Sequence, residues 1–341
     1  MRSTLVDVAR EAGVSPATVD RVLNNRAGVR SRTREIVFDT AQRLGYISDG
    51  REPARPISAA RARLDFVLPM GTNAFIKLLH EQLEKQGAAR AELTVRVSTI
   101  EGFNPDLLAR ALYDLAGKTQ GVGLIALDHP TVREAIRTLA AGGVKVLTLA
   151  SDILHVPRVA YVGIDNRAAG RVAGYMLGRF LGRSAERRKV ALFAGSLAYR
   201  GHEEREMGFR HMLAEEFPHL DVVELREVSD DFEKAYVEAT HLLERHPDLS
   251  GIYNIGGGIE GIARALRNAD LAAKIVLIGH ELTAANKSFL LDGTLDAVID
   301  QNPRVEAREA LNILSQSVRG LPYEYHAPRL QIVCKENLPE V

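Results

Sequence analysis

The 341 residues carry 44 basic and 44 acidic side chains, 46% hydrophobic residues and a single cysteine. That length holds two or three domains with buried cores, lone Cys334 excludes an internal disulfide framework, and no run of about 18 apolar residues is present to span a bilayer. The balanced total hides an asymmetry: residues 1–63 hold twelve arginines against seven acids, leaving 32 basic against 37 acidic groups elsewhere, as expected of a nucleic-acid-binding head on an acidic body.

In chain order, residues 4–12 (TLVDVAREA) place Leu5, Val8, Ala9 and Ala12 on one helical face. Thr4 is placed to cap the helix, with Asp7 three residues on as its acidic partner, and Gly13 ends it. Ser15-Pro16 opens a second helix, with Val19, Val22 and Leu23 facing inward and Asn24-Asn25 closing it. A third pattern runs from Ser31 through Ile36, Val37, Ala41 and Leu44 to Gly45. Helix, glycine turn, helix, third helix is a helix-turn-helix layout, although three short helices also describe a plain structural bundle. The outward groups of the second helix favour the former: Ala17, Thr18, Arg21 and Asn24 are short or hydrogen-bonding groups beside a long arginine, suited to base edges and phosphates.

The stretch TLVDVAREAGVSPATVDRVLNN…VRSRTREIVFDTAQRLGYI resembles the DNA-binding head of the LacI family of bacterial transcription repressors, almost position for position over residues 4–47. The resemblance implies a second helix in the major groove, with Pro16, Ala17 and Arg21 in the reading positions and Ser31, Thr33 and Tyr46 at phosphates. The candidate DNA-facing set is Thr4, Ser15, Pro16, Ala17, Thr18, Asp20, Arg21, Asn24, Arg30, Ser31, Thr33 and Tyr46. One position departs from the pattern: Asp20 stands where the family usually has serine, and it can pair with Arg21 or Arg30 or accept from a cytosine amino group. Residues 1–48 are thus expected to form the head. In the family the following segment folds into a hinge helix whose leucine wedges into the minor groove. Here residues 49–63 contain Pro53 and Pro56 and no leucine before Leu64, so a flexible arginine-bearing linker is expected.

From residue 64 onward, ten apolar strand-like runs alternate with helical stretches, at 64–69, 93–100, 121–127, 144–150, 159–165, 189–196, 221–228, 251–255, 274–280 and 295–300. Such alternation gives parallel sheets covered on both faces, and ten strands fit two doubly wound sheets of about five. Ligands of such sheets bind at the carboxyl ends of the strands. Polar or aromatic groups recur there: Asn73, Phe75, Asp128, Ser151, Asp152, Asp165, Arg205, Asn254, Glu281 and Gln301. Planar bidentate groups match vicinal hydroxyls, and an aromatic face stacks on a sugar's C–H surface, so a small polyhydroxylated ligand is the expected guest.

This body is similar to the periplasmic sugar-binding-protein fold (type I) that serves as the effector domain of LacI-like repressors. N-A-F at 73–75, YVGIDN at 161–166, the R-x-x-G-F of Arg205–Phe209 and VIDQNP at 298–303 carry the likeness. It implies two lobes, about 64–163 with 302–330 and about 164–301 with 331–341. It also implies that Arg205 binds effector hydroxyls or a carboxylate, and that Glu281 stands, one methylene longer, at a position commonly held by aspartate. Asn254 sits one position off the family register.

A rival lies in GIYNIGGGIEG (251–261), where Gly256, Gly258 and Gly261 have the G-x-G-x-x-G spacing of a dinucleotide-binding turn and Glu281 follows at ribose-holding distance. That fingerprint usually opens a domain, however, and this one lies three strands into the second half. Enzyme signatures are otherwise weak: His202-Glu203 lacks the second histidine of H-E-x-x-H, and His202 is expected on the solvated surface. No catalytic residue, metal or cofactor is expected. The sequence therefore predicts a dimeric, cytoplasmic, DNA-binding regulator of the repressor type. Its partners would be an inverted-repeat double-stranded operator, a sugar or polyol effector and a second copy of itself, with no membrane. An NAD-dependent oxidoreductase and a sugar sensor with a non-functional head are the alternatives.

Overall fold

The computed structural model describes residues 4–23, 29, 31–44, 61–182 and 186–339. The chain divides at Ala60/Arg61 into two compact units. In the first, three helices surround a small core: α1 (Leu5–Glu11), α2 (Pro16–Leu23) and α3 (Ser31–Arg43). The Thr4 hydroxyl accepts from the Asp7 N–H while Asp7 reaches back to the Thr4 N–H at 2.9 Å, a closed capping box. Gly13, at φ +64°, turns the chain towards α2, whose first turn is capped by the Ser15 hydroxyl. Val8, Ala9, Val19, Val22, Val37 and Ala41 are buried together, and Arg43 reaches Glu11 at 3.2 Å to tie α3 to α1. Residues 45–60, with Tyr46 and most of the expected 49–63 linker, lie outside the described residues, as do Asn24 and Arg30, whereas Ala62 and Arg63, expected in the linker, open the first strand of the second unit.

The second unit has two lobes. The first is built on a parallel sheet of β1 (Ala62–Met70), β2 (Leu93–Glu101), β3 (Gly121–Leu124), β4 (Lys145–Leu149) and β5 (Ala160–Val162), in the order β2-β1-β3-β4-β5. Central β1 is buried almost throughout, whereas edge strand β2 alternates, so the continuous apolar run and the patterned one mark centre and rim. Helices α4 (Ala74–Ala88), α5 (Pro105–Asp114), α6 (Pro130–Ala141) and α12 (Pro303–Val318) cover it.

The second lobe holds β6 (Arg188–Ala194), β7 (Leu220–Glu227), β8 (Leu249–Asn254), β9 (Val276–His280), β10 (Ala297–Asp300) and β11 (Gln331–Val333), in the order β11-β10-β9-β8-β6-β7. Its helices are α7 (Asn166–Leu181), α8 (Arg200–Glu216), α9 (Phe232–Arg245), α10 (Ile259–Asn268) and α11 (Ala284–Asp292). The ten expected strands are present, joined by an eleventh: β11 returns after α12 and pairs antiparallel with β10. Its three residues are too short to show a periodic pattern.

One packing detail positions the cleft. A Cβ at Gly170 would lie 1.9 Å from the Arg205 carbonyl, and one at Gly208 would lie 2.1 Å from that of Arg167. Helices α7 and α8 therefore meet backbone to backbone, which brings Arg205 to the crossing of the lobes.

Candidate functional site

In the head, Pro16, Ala17 and Arg21 are exposed along α2, and Thr18 and Asp20 are half-buried. The hydroxyls of Ser15 and Thr18 lie 2.9 Å apart, so this pair holds the first turn as well as offering polar atoms outward. Ser31 opens α3, and Thr33 is half-buried in its first turn.

Between the lobes of the second unit, the carboxyl ends of eight strands surround a small cavity. At its centre Arg205, 4% exposed, spends its three nitrogens on three acceptors. Nε donates to Asn166 Oδ1 at 2.7 Å, Nη1 to the Ile255 carbonyl at 2.9 Å and Nη2 to Gln301 Oε1 at 3.4 Å. Gln301 in turn donates to Glu281 Oε1 at 2.5 Å. On the other side, Asn166 donates to the Tyr161 hydroxyl at 3.0 Å and to the Ala150 carbonyl at 3.3 Å. One buried chain of hydrogen bonds thus runs through the points where the backbone passes from β5 into α7 and from β10 into α12.

A second group closes the cleft. Asp230, at φ +54°, accepts from the Gly257 N–H at 2.7 Å and from Asn73 Nδ2 across the cleft at 2.9 Å. The Thr72 hydroxyl donates to the Asp230 carbonyl at 2.7 Å, and the Gly201 N–H donates to Ser151 Oγ at 3.2 Å. These links join first-lobe loops to second-lobe loops. Glu281 is held at φ +69°, a conformation that non-glycine residues keep only under constraint.

Burial governs the charges. Glu281 is pushed up from 4.5 to about 8, first by burial and then by Asp300, with Arg205 and Gln301 opposing. Glu306 behind it is raised well above the carboxylate range by burial and then by Glu281, and neither of its oxygens has a hydrogen-bond partner among the described residues. His280 is driven well below its ordinary value by burial and then by Arg205; its Nε2 lies 2.7 Å from the Tyr253 hydroxyl. At neutral pH both Glu281 and His280 are therefore uncharged hydrogen-bonding groups.

Of the residues singled out from sequence, Asn73, Phe75, Ser151, Arg205, Glu281 and Gln301 line this cavity together. Four others turn elsewhere. Asp128 pairs with Arg133; Asp152 takes Arg158 at 2.5 Å and the Thr148 hydroxyl at 2.7 Å; Asp165 caps α7 by accepting from the Ala168 N–H at 2.9 Å. Asn254 is fully buried and donates to the carbonyls of Gly256 and Gly257, so it shapes the glycine turn from behind. Asp230, Tyr199 and His280 also line the cavity without having been singled out. His202 corrects an expectation: it faces the cavity, with Nδ1 3.0 Å from the Ser196 carbonyl, and burial lowers its pKa.

The glycine turn has its own occupant. A Cβ at Gly256 would lie 2.6 Å from Asp230 Oδ1, and one at Gly261 would lie 1.9 Å from the Phe232 carbonyl. The first glycine admits the Asp230 carboxylate and the last lets α10 pack on α9. An internal carboxylate thus takes the Gly257 N–H that a pyrophosphate would need. Among the described residues no group of three or more His, Cys, Asp or Glu could hold a metal, and no helix is long and apolar enough to cross a membrane.

Two lobes hinged on a buried polar chain, closed over a cavity at the strand ends, define a binding-protein architecture. Residues 64–322 match the periplasmic binding protein domain, and the chain belongs to that family; residues 4–49 match the bacterial regulatory proteins of the lacI family. Catabolite control protein A of Priestia megaterium is 29% identical over 217 residues, 63% of this chain and 62% of that protein. HTH-type transcriptional regulator reg1 of Streptomyces lividans is 31% identical over 179 residues, 51% of this chain and 49% of its own. The matches thus span between about half and 62% of these regulators. Among solved structures, GanP, a glucose-galactose binding protein from Geobacillus stearothermophilus, superposes with a TM-score of 0.75 at 23% identity, covering 82% of this chain and 99% of that one. The fold is therefore shared with sugar-binding proteins, and the families concerned are regulatory and ligand-binding rather than enzymatic.

Proposed function

We propose that the chain is a sequence-specific, DNA-binding transcription regulator of the repressor type, working in the cytoplasm as a homodimer and without catalytic activity. Its operator affinity is set by a small, neutral, polyhydroxylated ligand held between the lobes by Asn73, Phe75, Ser151, Arg205, Asp230, Glu281 and Gln301. The observation that carries this reading is one chain joining a lacI-type head to a two-lobed cleft in which Arg205 links segments after β5, β8 and β10.

The charge balance argues for a neutral guest. The Arg205 guanidinium and the Asp230 carboxylate line the same cavity, so an anionic guest that gains the cation also meets a carboxylate. Ligand hydroxyls bridging Asn73 and Asp230 to Arg205 and Glu281 favour the closed arrangement. The operator's affinity then shifts by the ligand's differential affinity for closed and open states, and the operator acts back on the ligand by the same factor. In a dimer, each α2 takes one half of an inverted repeat, with Pro16, Ala17, Asp20 and Arg21 at the bases and Ser15, Thr18, Ser31 and Thr33 near phosphates.

A thermal-shift screen of neutral sugars, polyols, their phosphates and NAD(H), followed by operator gel shifts for each hit, tests the proposal. Stabilisation by neutral polyols, together with altered operator retention, is expected. Micromolar NAD(H) binding would overturn it in favour of a dinucleotide site.

A further inference from the structure

Two neighbouring residues of the first lobe grip one residue of the second. Thr72 and Asn73, between β1 and α4, both reach across the cleft to Asp230: the Thr72 hydroxyl donates to its carbonyl at 2.7 Å and Asn73 Nδ2 to its carboxylate at 2.9 Å. Asn73 is fixed from its own side as well, because its side-chain oxygen accepts from the Phe75 N–H at 3.0 Å and caps α4.

The turn they hold is a constrained one. Ser229 and Asp230 both have φ +54°, a left-handed pair that non-glycine residues keep only where their surroundings impose it. Within the second lobe the Ser229 N–H donates to the Gly195 carbonyl at 2.8 Å and the Asp231 N–H to the Val228 carbonyl at 3.0 Å. The Asp230 carboxylate fills a notch that glycine leaves open: a Cβ at Gly195 would lie 2.1 Å from Oδ1, the oxygen that accepts from the Gly257 N–H at 2.7 Å. The Asp230 carbonyl instead takes its hydrogen bond from the opposite lobe. Other cross-cleft bonds use backbone donors, from the Asp128 N–H to the Ala198 carbonyl at 3.0 Å and from the Gly201 N–H to Ser151 Oγ at 3.2 Å.

We infer that Thr72 is a positioning residue for the cleft: by holding the Asp230 turn over Asn73, its hydroxyl sets the balance between closed and open lobes. Thr72 is exposed and does not line the central cavity, so it acts through Asp230 rather than by touching a guest there. This rests on the reading of the cleft as a polyol site and adds what tunes its affinity, since a guest of the closed form binds in proportion to the fraction closed. Loss of one such hydrogen bond moves the closing equilibrium towards open lobes by about 3- to 10-fold.

The test compares full-length wild type with Thr72→Val, which keeps the shape and removes the hydroxyl, and Thr72→Ser, which keeps the hydroxyl. Hydrogen exchange followed by mass spectrometry, with no ligand added, reads lobe opening at the Asp128 and Gly201 amides, which lie in segments remote in sequence from the substitution. Exchange there should quicken by about 3- to 10-fold in Thr72→Val and stay at the wild-type rate in Thr72→Ser. Calorimetric titration with D-ribose, D-glucose, D-galactose and myo-inositol gives the second readout. Dissociation constants of those that bind should rise by about the same factor in Thr72→Val and be restored in Thr72→Ser. Unchanged exchange at Asp128 and Gly201 in Thr72→Val, or equal losses in Thr72→Ser, would overturn the inference and leave the polyol reading standing. Binding of none of the four by wild type would count against the polyol reading, and the exchange comparison alone would then decide the role of Thr72.

Discussion

The head and the cleft place their proposed recognition groups in opposite ways. In the head, Pro16, Ala17, Asp20 and Arg21 fall within one eight-residue helix whose other face is anchored by Val19 and Val22. In the cleft, groups come from eight strand ends in two sheets, and Arg205 alone serves acceptors from α7, the loop after β8 and the segment after β10. A surface on one helix lets each exposed side chain be changed nearly independently. A site assembled from distant segments makes its central residue a structural part as well as a contact.

That contrast can be broken at its strongest point by Arg205→Ala. Removing the guanidinium leaves Asn166 Oδ1, the Ile255 carbonyl and Gln301 Oε1 unpaired in a buried place, a cost of about 3 kcal/mol or more. Melting temperature should fall and ligand-induced stabilisation should vanish, while operator binding persists. Loss of operator binding as well would mean that head and cleft are not separable as argued. Arg21→Ala should do the converse: operator affinity drops by about 1–3 kcal/mol, measured by fluorescence anisotropy, with melting temperature and ligand shift unchanged.

Glu281→Gln probes the electrostatics of the cleft. Its carboxyl is raised from 4.5 to about 8, so the folded chain holds a proton that the unfolded chain releases. The stability it contributes is complete below pH 4.5 and is lost as the pH climbs to about 8. In melting curves, the stability difference between wild type and variant should shrink as the pH rises across that window. Both share whatever slope comes from Glu306 and Asp300, which make stability fall with pH, and from His280 and His202, which make it rise below about 6.5. Equal slopes would remove the claim that Glu281 is uncharged at neutral pH. Asp20→Ser carries the smallest effect: overall DNA affinity stays similar, but operator sequences selected from a random pool should differ from those of wild type. Identical selected sites would show that Asp20 does not read bases.

The same contrast explains what was legible beforehand. The head's layout follows from local periods and caps, such as Thr4 with Asp7 and Ser15 with Pro16, so its three helices and their turn stand out in the sequence. The ten principal strands were legible because central parallel strands are continuous apolar runs. The rule that ligands meet strand ends pointed to Asn73, Ser151, Arg205, Glu281 and Gln301. It could not tell those from Asp128 and Asp152, because the arginines that claim these acids lie five and six residues away and either could equally have turned outward. Asp230 was overlooked because Ser229-Asp230-Asp231 resembles an ordinary helix start, and Asp231 does cap α9. The signal was present in the glycines: three in a row after β8 leave room for a neighbouring side chain, and that neighbour is Asp230. His280 hides within an apolar strand, where only the tertiary contact with Tyr253 reveals a polar role.

The central claim is that occupancy of the cleft alters what the head does. Operator affinity should be measured by anisotropy on a site selected with the full chain, with and without a saturating concentration of the best-binding polyol. The account predicts a change of roughly 5- to 150-fold in operator affinity, matched by an equal change in polyol affinity when operator is present, and its absence in Arg205→Ala. Saturation of the cleft with unchanged operator affinity would contradict it.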